Sequence, residues 1–375
     1  MPTIPPTVPT HHHSPLADPQ VLSLPFDMVG RYRMVAEALD ALRPLAGGRL
    51  RVLDVGGLVL TRRGEPVLPA GLFLPGDDVT TLDQAALELE GYVRGDGRGL
   101  AFPDDSFDVI VSCDVLEHVP APDREAFWRE LLRVARYGVA LTAPFGTPEV
   151  EAAEELLFGY IRAEIGHEQI QLREHRDFGW PRLAETRALL EGWGHATREY
   201  PSGQVHAWLA MMVAKHYLFS RTDDEALHAG LDAYYTRFLS AAERREPAYR
   251  HLLLVERAGG WLAQADALLA PTVAASEAAP SPGWPDLSAW LVGALGYDAA
   301  SGAPLSATTL RQQRRIADLE GAVAQRDAQV ADLEARAAWL EGQSHEARRA
   351  LAAVEGGRAM RLLRWLEGAI GTRRR

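Results

Sequence analysis

The feature that most constrains the fold is an alternation of short apolar runs with helical segments between residues 45 and 145. The runs are Val52 to Val55, Val79 to Leu82, Tyr92 to Val93, Phe107 to Ser112 and Gly138 to Ala143. Runs of this kind are typical of strands buried on both faces. A strong helix predicted over Pro122 to Ala135 separates the last two. The pattern predicts an α/β fold with a mostly parallel, doubly wound sheet.

Acidic or glycine residues follow four of these runs, namely Gly56-Gly57, Asp83, Asp96-Gly97 and Asp114. Ligands of open α/β sheets bind at the carboxyl ends of the strands, where these residues would lie close together. Any one of the acids is best explained as a helix cap or a solvated turn. Four acidic or glycine positions at successive strand ends indicate a binding site.

Composition excludes several classes of function. A formal net charge of -12 argues against general affinity for nucleic acid, because phosphate binding needs clustered cations. Lys215 is the only lysine, so the abundance of arginine is interpreted as coding bias and not as a functional signal. Cys113 is the only cysteine, which excludes an internal disulfide and a cysteine-rich zinc site. With no signal-peptide pattern and no apolar window of about 18 residues, a cytoplasmic protein is expected.

The chain is expected to contain one large folded domain with flexible ends. Residues 1–20 are rich in proline, threonine and histidine and are predicted to be disordered. Apolar residues at helical spacing predict a helix from Phe26 to Leu45. The domain is assigned to residues 21–257, with a lid over 165–181 and a helical insertion over 205–243. A strand at Tyr249 to Arg257 is expected to pair antiparallel with His195 to Tyr200 at one sheet edge.

A linker over 258–308 leads to a heptad pattern over 309–356 and a basic tail over 357–375. The two heptad positions are occupied by Ile316, Val323, Val330 and Ala337, and by Leu319, Leu333 and Leu340. The pattern predicts a coiled coil and a homo-oligomer, with a lone solvated helix as the alternative. The tail places apolar residues on one face with arginines around it, which favours peripheral contact with an anionic membrane or, equally, a partner-binding or frayed helix.

The most specific motif is "GDGRGLAFPDDSFDVIVSCDVLEHVP", Gly95 to Pro120, taken with "RVLDVGG" and "VTTLD" upstream. These stretches resemble the class I S-adenosylmethionine-dependent methyltransferases, in particular the methyltransferase type 11-like branch. The resemblance covers roughly Leu45 to Arg257. It implies a Rossmann-like, doubly wound seven-stranded sheet with an antiparallel edge strand, and S-adenosyl-L-methionine as cofactor.

The resemblance also implies roles for individual residues. Asp54, Gly56 and Gly57 would form the first cofactor-binding motif, where a side chain at the glycine would occupy the cofactor's place. Asp83 would accept hydrogen bonds from the ribose hydroxyls, and Asp96 would accept one from the adenine amino group, with Gly97 leaving room for the base. Asp114 would face the sulfonium and the acceptor.

The loop after Gly57 departs from the family's pattern. A third small residue and a helix would follow in the family, whereas the prolines and glycines between Leu58 and Asp78 exclude a long helix. S-adenosylmethionine has no phosphate, so the loss of a helix N-terminus matters less for it than for a dinucleotide. The loop is interpreted as shortened but functional, which disfavours a nicotinamide dehydrogenase.

Catalysis of methyl transfer mainly requires alignment of the acceptor and exclusion of water. His118, one helical turn past Asp114, is the candidate general base, with capping or packing as its alternative role. His167 and His175 lie where the family places its acceptor-binding lid and are assigned to the substrate. No metal is assigned, because the histidine and glutamate spacing in the lid matches no metal motif, although such residues are metal ligands elsewhere.

The sequence therefore predicts an S-adenosylmethionine-dependent methyltransferase acting on a small-molecule or glycan hydroxyl. The alternative is a non-catalytic scaffold with the methyltransferase fold, acting through its coiled coil.

Overall fold

The computed structural model describes residues 24–60, 64–166, 168–235 and 239–279, together with the separate positions 319, 323, 326 and 330. The predicted disordered tail lies outside the described residues. So do the coiled coil and the basic tail, apart from those four positions. Among the described helices, none combines the length and the apolar character needed to cross a lipid bilayer.

Strands occur at all five of the predicted apolar runs, and the structure describes others besides. They are β1 (Arg51–Val55), β2 (Val59–Leu60), β3 (Pro66–Val67), β4 (Asp78–Asp83), β5 (Tyr92–Arg94), β6 (Phe107–Cys113), β7 (Ala135–Pro144), β8 (Ala196–Gln204) and β9 (Ala248–Glu256). Seven of them form one sheet in the order β5-β4-β1-β6-β7-β9-β8. The first five in that order run parallel, and the direction of winding reverses between β1 and β6.

The antiparallel strand is not at the edge of the sheet. β9 pairs antiparallel with β8, as the sequence predicts, but it also pairs antiparallel with β7 from Arg250 to Glu256. The earlier strand β8 is therefore the edge strand, and β9 is inserted between it and the parallel part. The apolar run of β9 is consistent with a central position, whereas β8 is largely polar and partly exposed, as is typical of an edge strand.

The helices cover both faces of the sheet. They are α1 (Phe26–Leu39), α2 (Pro69–Phe73), α3 (Arg124–Val134), α4 (Pro148–Tyr160), α5 (Ile170–Phe178), α6 (Leu183–Gly192), α7 (Val205–Arg221), α8 (Glu225–Tyr234) and α9 (Leu262–Ala278). Short 3-10 turns occur at Leu116–His118, Ala121–Asp123 and Ser240–Ala242, and a π-helical turn at Ile161–Ile165.

Alternation along the central strand β6 divides the core into two layers. Val109 and Val111 pack in the layer that contains Tyr32 of α1, whereas Ile110 packs in the layer that contains Trp128 of α3. This is the period of two expected of a strand covered on both faces. A third apolar cluster joins α4, α7 and α8, and Trp208 stacks on Tyr249 there with ring centroids 3.5 Å apart.

The start of the predicted linker is part of the folded domain. Residues 258–308 are predicted as linker because they are rich in small residues and proline, yet α9 spans Leu262–Ala278 and contains Pro271. Trp261 and Leu269 are fully buried in the same layer as α1. Small residues at core-facing positions allow close packing, which a composition argument cannot distinguish from flexibility.

The loop from 58 to 78 agrees with its prolines. It contains the two-stranded hairpin of β2 and β3 and the five-residue helix α2, which has a proline in its first turn. α1 ends at Leu39, earlier than the predicted Leu45, and turns follow it.

Adjacent leucines in α9 test whether this segment is core or linker. Leu269 is fully buried, and Leu268 is 45% exposed. Leu269→Ala is expected to lower the free energy of unfolding by about 2–5 kcal/mol, because it leaves a cavity. Leu268→Ala is expected to change it by no more than about 0.5 kcal/mol. Urea unfolding of both variants measures the difference, and equal small effects would mean that α9 contributes nothing to the core.

Candidate active site

The carboxyl ends of β1, β4 and β6 and the turn after β5 surround one cavity of about 470 Å³. Its volume lies within the range of about 300–1,000 Å³ typical of small-molecule sites. Six of the residues predicted from sequence line it: Gly56, Asp83, Asp96, Gly97, Asp114 and His118. Asp54, Gly57 and His175 lie behind its wall, and His167 lies outside the described residues.

The glycine pair after β1 makes room for the protein's own atoms. Gly56 has a φ of +79°, and a Cβ there would lie 2.3 Å from Cγ2 of Val115. A Cβ on Gly57 would lie 1.7 Å from Oδ2 of Asp54. The family resemblance implies that the cofactor occupies the space next to the glycine. In the structure the side chains of Val115 and Asp54 already occupy the space that a Cβ would need. Replacing either glycine by a residue with a side chain would therefore disturb the wall of the cavity.

Asp54 is a buried acid behind that wall. Tyr32 of α1 donates a hydrogen bond from its hydroxyl to Oδ2 of Asp54 over 3.1 Å. Oδ1 of Asp54 has no hydrogen-bond partner among the residues that the structure describes. Burial raises the pKa of Asp54 to about 7, against the smaller opposing effect of the Tyr32 hydrogen bond. A carboxyl in this environment exchanges a proton near neutral pH.

Asp83 is held in place at the end of β4 by two backbone amides. The N–H of Gln84 donates to Oδ1 over 2.6 Å, and the N–H of Leu58 donates to Oδ2 over 3.3 Å. The second bond ties the carboxylate to the loop after the glycine pair. The shortened loop therefore still contributes to the site, through a backbone N–H in place of a helix N-terminus.

Asp96 reaches the cavity but is engaged by an arginine. Arg98 donates to Oδ2 of Asp96 over 2.7 Å and to Asp123 over 2.6 Å. These hydrogen bonds lower the pKa of Asp96. A ligand amino group would share this carboxylate with Arg98, and both side chains are 41% exposed, so the pair can open toward solvent. Next to it, a Cβ on Gly97 would lie 2.6 Å from the Phe127 ring.

Asp114 has a left-handed backbone, with φ of 55°, and a carboxylate shared by two arginines. Arg250 of β9 donates to it from Nε over 2.7 Å and from Nη2 over 2.6 Å, and Arg31 of α1 also donates to it. Burial alone would raise the pKa of Asp114, but Arg250 and Arg31 outweigh burial and lower the pKa to about 2. Asp114 therefore stays ionised and does not act as a base at neutral pH.

His118 and His175 form a facing pair beside the cavity. Their Nε2 atoms lie 3.3 Å apart. Nδ1 of His118 lies 2.8 Å from Glu174, and Nδ1 of His175 lies 3.0 Å from Glu154. Burial lowers the pKa of His118, and His175 lowers it further. Both ring nitrogens of His118 have partners, so His118 can accept a proton from a substrate only if one of these contacts opens.

Part of the predicted lid folds over this pair. His175 lies on α5, with its side chain 5% exposed, and packs against the edge of Trp180 with ring centroids 5.2 Å apart. It faces His118 and not the cavity, so its predicted contact with the substrate would be indirect. Glu174, its neighbour on the helix, is the residue of α5 that lines the cavity together with Phe178.

The residues that sequence analysis missed are charged groups that come from distant segments. Arg31 and Arg250 were not singled out, because the abundance of arginine was interpreted as coding bias. Glu154 and Glu117 were not singled out, although both are buried. A signal for Arg250 was available, since it interrupts the apolar strand "AYRHLLLVE". Nothing in the local pattern distinguishes the others.

The pKa of Asp54 predicts an unusual pH dependence of stability. With the folded pKa raised from 3.8 to about 7, the folded state binds more protons than the unfolded state between those values. Stability contributed by this group is therefore present below pH 4 and lost as pH rises to 7, by up to about 4 kcal/mol. Asp54→Asn is expected to remove this loss. Urea unfolding of both proteins from pH 4.5 to 8 measures it, and a constant difference between them would contradict it.

Part of this sheet is similar in sequence to known methyltransferases. Residues 77–142 match the family model described as a methyltransferase domain, which confirms the resemblance predicted from sequence. An uncharacterized methyltransferase of Mycobacterium sp. (strain KMS) is 38% identical over 114 residues, which cover 28% of this chain and 42% of that protein. The rice (Oryza sativa subsp. japonica) chloroplastic 2-methyl-6-phytyl-1,4-hydroquinone methyltransferase 2 is 35% identical over 118 residues, covering 26% and 30%.

Among solved structures, the magnesium protoporphyrin IX methyltransferase of Synechocystis PCC 6803 with bound SAH aligns with 61% of this chain and 84% of its own, at 14% identity and a TM-score of 0.34. The chain spans less than half the length of the curated relatives it matches.

Proposed function

We propose that this chain, whose residues 77–142 belong to the methyltransferase domain family, is an S-adenosylmethionine-dependent methyltransferase that acts on a hydroxyl group. The observation that carries the proposal is the convergence of Asp83, Asp96 and Gly97 from successive strand ends on a single cavity of about 470 Å³. The cavity has a polar side at these strand ends and an apolar side formed by Leu82, Val55 and Phe127.

The polar side fits the ribose of the cofactor. The two backbone amides on Asp83 fix the orientation of its carboxylate, and each oxygen keeps a lone pair for a further donor. An ionised carboxylate at this position would accept hydrogen bonds from two adjacent hydroxyls.

The apolar side fits a flat aromatic base. Gly97 brings the backbone against Phe127 and Val55, at distances that leave no space for a side chain. Val119 and Pro120 complete this part of the wall. Asp96 stands at its rim, where it would accept from an exocyclic amine after Arg98 turns away.

The reaction needs few groups from the protein. The cofactor supplies a methyl carbon activated by the adjacent sulfonium. The chain must align an acceptor oxygen, exclude water and receive its proton. His118 and Glu174 both lie at the cavity wall. The imidazole of His118 is neutral, because burial lowers its pKa. This pair gives the hydroxyl proton a destination.

The proposed acceptor is the hydroxyl of a small molecule or a glycan. The name of the rice relative specifies a small hydroquinone, which supports the small-molecule class. Domains of this kind joined to coiled coils and basic tails resemble bacterial enzymes that decorate surface polysaccharides, which supports the glycan class. A cytoplasmic location with peripheral membrane contact through residues 357–375 belongs to the same proposal.

Cofactor binding can be tested by calorimetric titration with S-adenosylmethionine and S-adenosylhomocysteine. Asp83→Ala is expected to weaken binding at least about 10-fold, because two hydrogen bonds to a charged group are lost. Asp78→Ala, at the opposite end of the same strand and exposed, is the matched control and is expected to bind like the wild type. Equal affinities of all three proteins would refute the assignment of Asp83.

The same titration separates the two candidate functions. Absence of binding to the wild type would favour the non-catalytic scaffold acting through its coiled coil. The shortened loop after Gly57 is the feature that favours that alternative.

Self-association through the heptads is a separate prediction. A chain ending at residue 308 is expected to be a monomer with unchanged cofactor affinity, because the apolar seam lies beyond that point. Light scattering measures the mass. An oligomer of unchanged size would exclude the coiled coil as its cause.

A further inference from the structure

We propose that His118, His175 and Glu117 bind one divalent transition metal ion, best suited to zinc, at the wall of the cavity. One ligand atom from each of these residues lies within 4.8 Å of the others. The sequence gives no hint of this site, since the two histidines are 57 positions apart. The binding site stands on its own geometry, and only its role in the reaction rests on the proposed function.

The hydrogen bonds of the two histidines direct both Nε2 lone pairs at the same point. Each Nδ1 lies against a carboxylate, Glu174 for His118 and Glu154 for His175. A carboxylate accepts hydrogen bonds, so each Nδ1 carries the proton and each neutral Nε2 carries a lone pair. The two nitrogen atoms that carry these lone pairs lie 3.3 Å apart. A cation between them converts this repulsion into two bonds.

The separation of the nitrogens matches metal coordination. Imidazole nitrogens bind zinc at about 2.0–2.1 Å, so two of them on a tetrahedral ion lie about 3.3–3.4 Å apart. The observed 3.3 Å between the two Nε2 atoms agrees with this separation.

Glu117 supplies the third ligand. Its side chain is 1% exposed, and its Oε2 has no hydrogen-bond partner among the described residues. An unpaired carboxylate oxygen in such a place is costly, and metal coordination is one of the few ways to satisfy it. Since ligands of one ion lie closer together than 4.8 Å, binding would draw this carboxylate toward the imidazoles.

The surroundings resemble the outer shell of known metal sites. Histidine ligands commonly donate their second N–H to a carboxylate, which fixes the ring and raises its basicity. Glu154 is itself held by the Tyr249 hydroxyl over 2.5 Å, and Trp180 packs against His175.

The local charge also calls for a cation. Three carboxylates, Glu117, Glu154 and Glu174, adjoin the histidine pair. Within the described part of the chain none of them forms an ion pair with an arginine or lysine. Glu174 and Glu154 have ionic contacts only to the histidines, and burial raises the pKa of Glu117 well above its usual range. The neighbouring Arg250 and Arg31 are engaged by Asp114. A divalent ion would offset charge that the protein leaves uncompensated.

The ligand set favours zinc and gives it a catalytic position. Two imidazoles and one carboxylate suit a transition metal better than magnesium or calcium, and three protein ligands leave a position for substrate. His118 and Glu174 line the cavity, so the acceptor oxygen can reach that position. The ion would lower the pKa of a bound hydroxyl. The proton would leave the acceptor oxygen for Glu174, and the oxygen's electron pair would form the bond to the methyl carbon as the carbon–sulfur bond of the cofactor breaks and S-adenosylhomocysteine leaves with that electron pair.

The test is direct titration of the full-length chain with zinc chloride, after dialysis against a chelator. His11, His12 and His13 form a triplet that would bind zinc on its own, so the background protein carries alanine at all three. We expect about one zinc per chain by calorimetry and elemental analysis. His118→Ala is expected to abolish this binding, and Glu117→Gln to weaken it at least about 10-fold. His206→Ala, an exposed histidine outside the cluster, is the control and should bind normally.

Cobalt provides a second readout. Its visible absorption should indicate a four-coordinate site in the background protein and should disappear in His118→Ala. Zinc binding that is absent from the background protein, or that is equal in the background protein and His118→Ala, would overturn the proposal, with the histidines then sharing a proton.

Titration of the same samples with S-adenosylhomocysteine serves two purposes. Retained binding in His118→Ala and Glu117→Gln shows that these variants are folded. It also separates the two proposals: cofactor binding without zinc would overturn only the metal site, whereas zinc binding without cofactor would support the metal site and overturn the proposed function.

Discussion

The carboxylate of Asp114 and its two arginines hold the site together. Asp114 ends the central strand β6, Arg31 comes from the first helix, and Arg250 comes from β9. Three segments that are remote in sequence therefore meet at one charge. Removing one partner of a buried ion pair leaves the other uncompensated, which typically costs about 3–5 kcal/mol. Asp114 also lines the cavity, so this part of the cavity wall depends on the same interaction.

Much of the fold can be predicted from local patterns. Five strands, their parallel arrangement and the acids at their carboxyl ends are encoded in apolar runs and in the residues that end them, such as Asp83 at the end of "VTTLD". The position of β9 cannot be obtained in this way, because strand order depends on pairing between segments far apart in the chain. The inclusion of α9 in the core escapes prediction for the same reason.

The site is only half predictable. Residues that touch the cavity from strand ends, such as Asp96 and Gly97, follow from position. Residues that act on those groups from elsewhere do not. Arg31 has no distinguishing signal in a chain where arginine has nearly replaced lysine, and Arg250 has only its interruption of an apolar strand. The pairing of His118 with His175 depends on how α5 folds back. Glycine is a further case, since Gly57 makes room for Asp54 and not directly for a ligand.

The insertion of β9 between β7 and β8 affects the order in which the chain can be assembled during synthesis. β8 pairs only with β9 in the sheet, and 44 positions separate Gln204 from Ala248. At about 5–20 residues per second, the ribosome needs roughly 2–9 s to produce the partner after β8 emerges. The parallel strands from β1 to β7 can pair before that time. During this interval β8 is an unpaired strand on a nascent chain. Formation of this edge of the sheet is therefore the assembly step most exposed to aggregation.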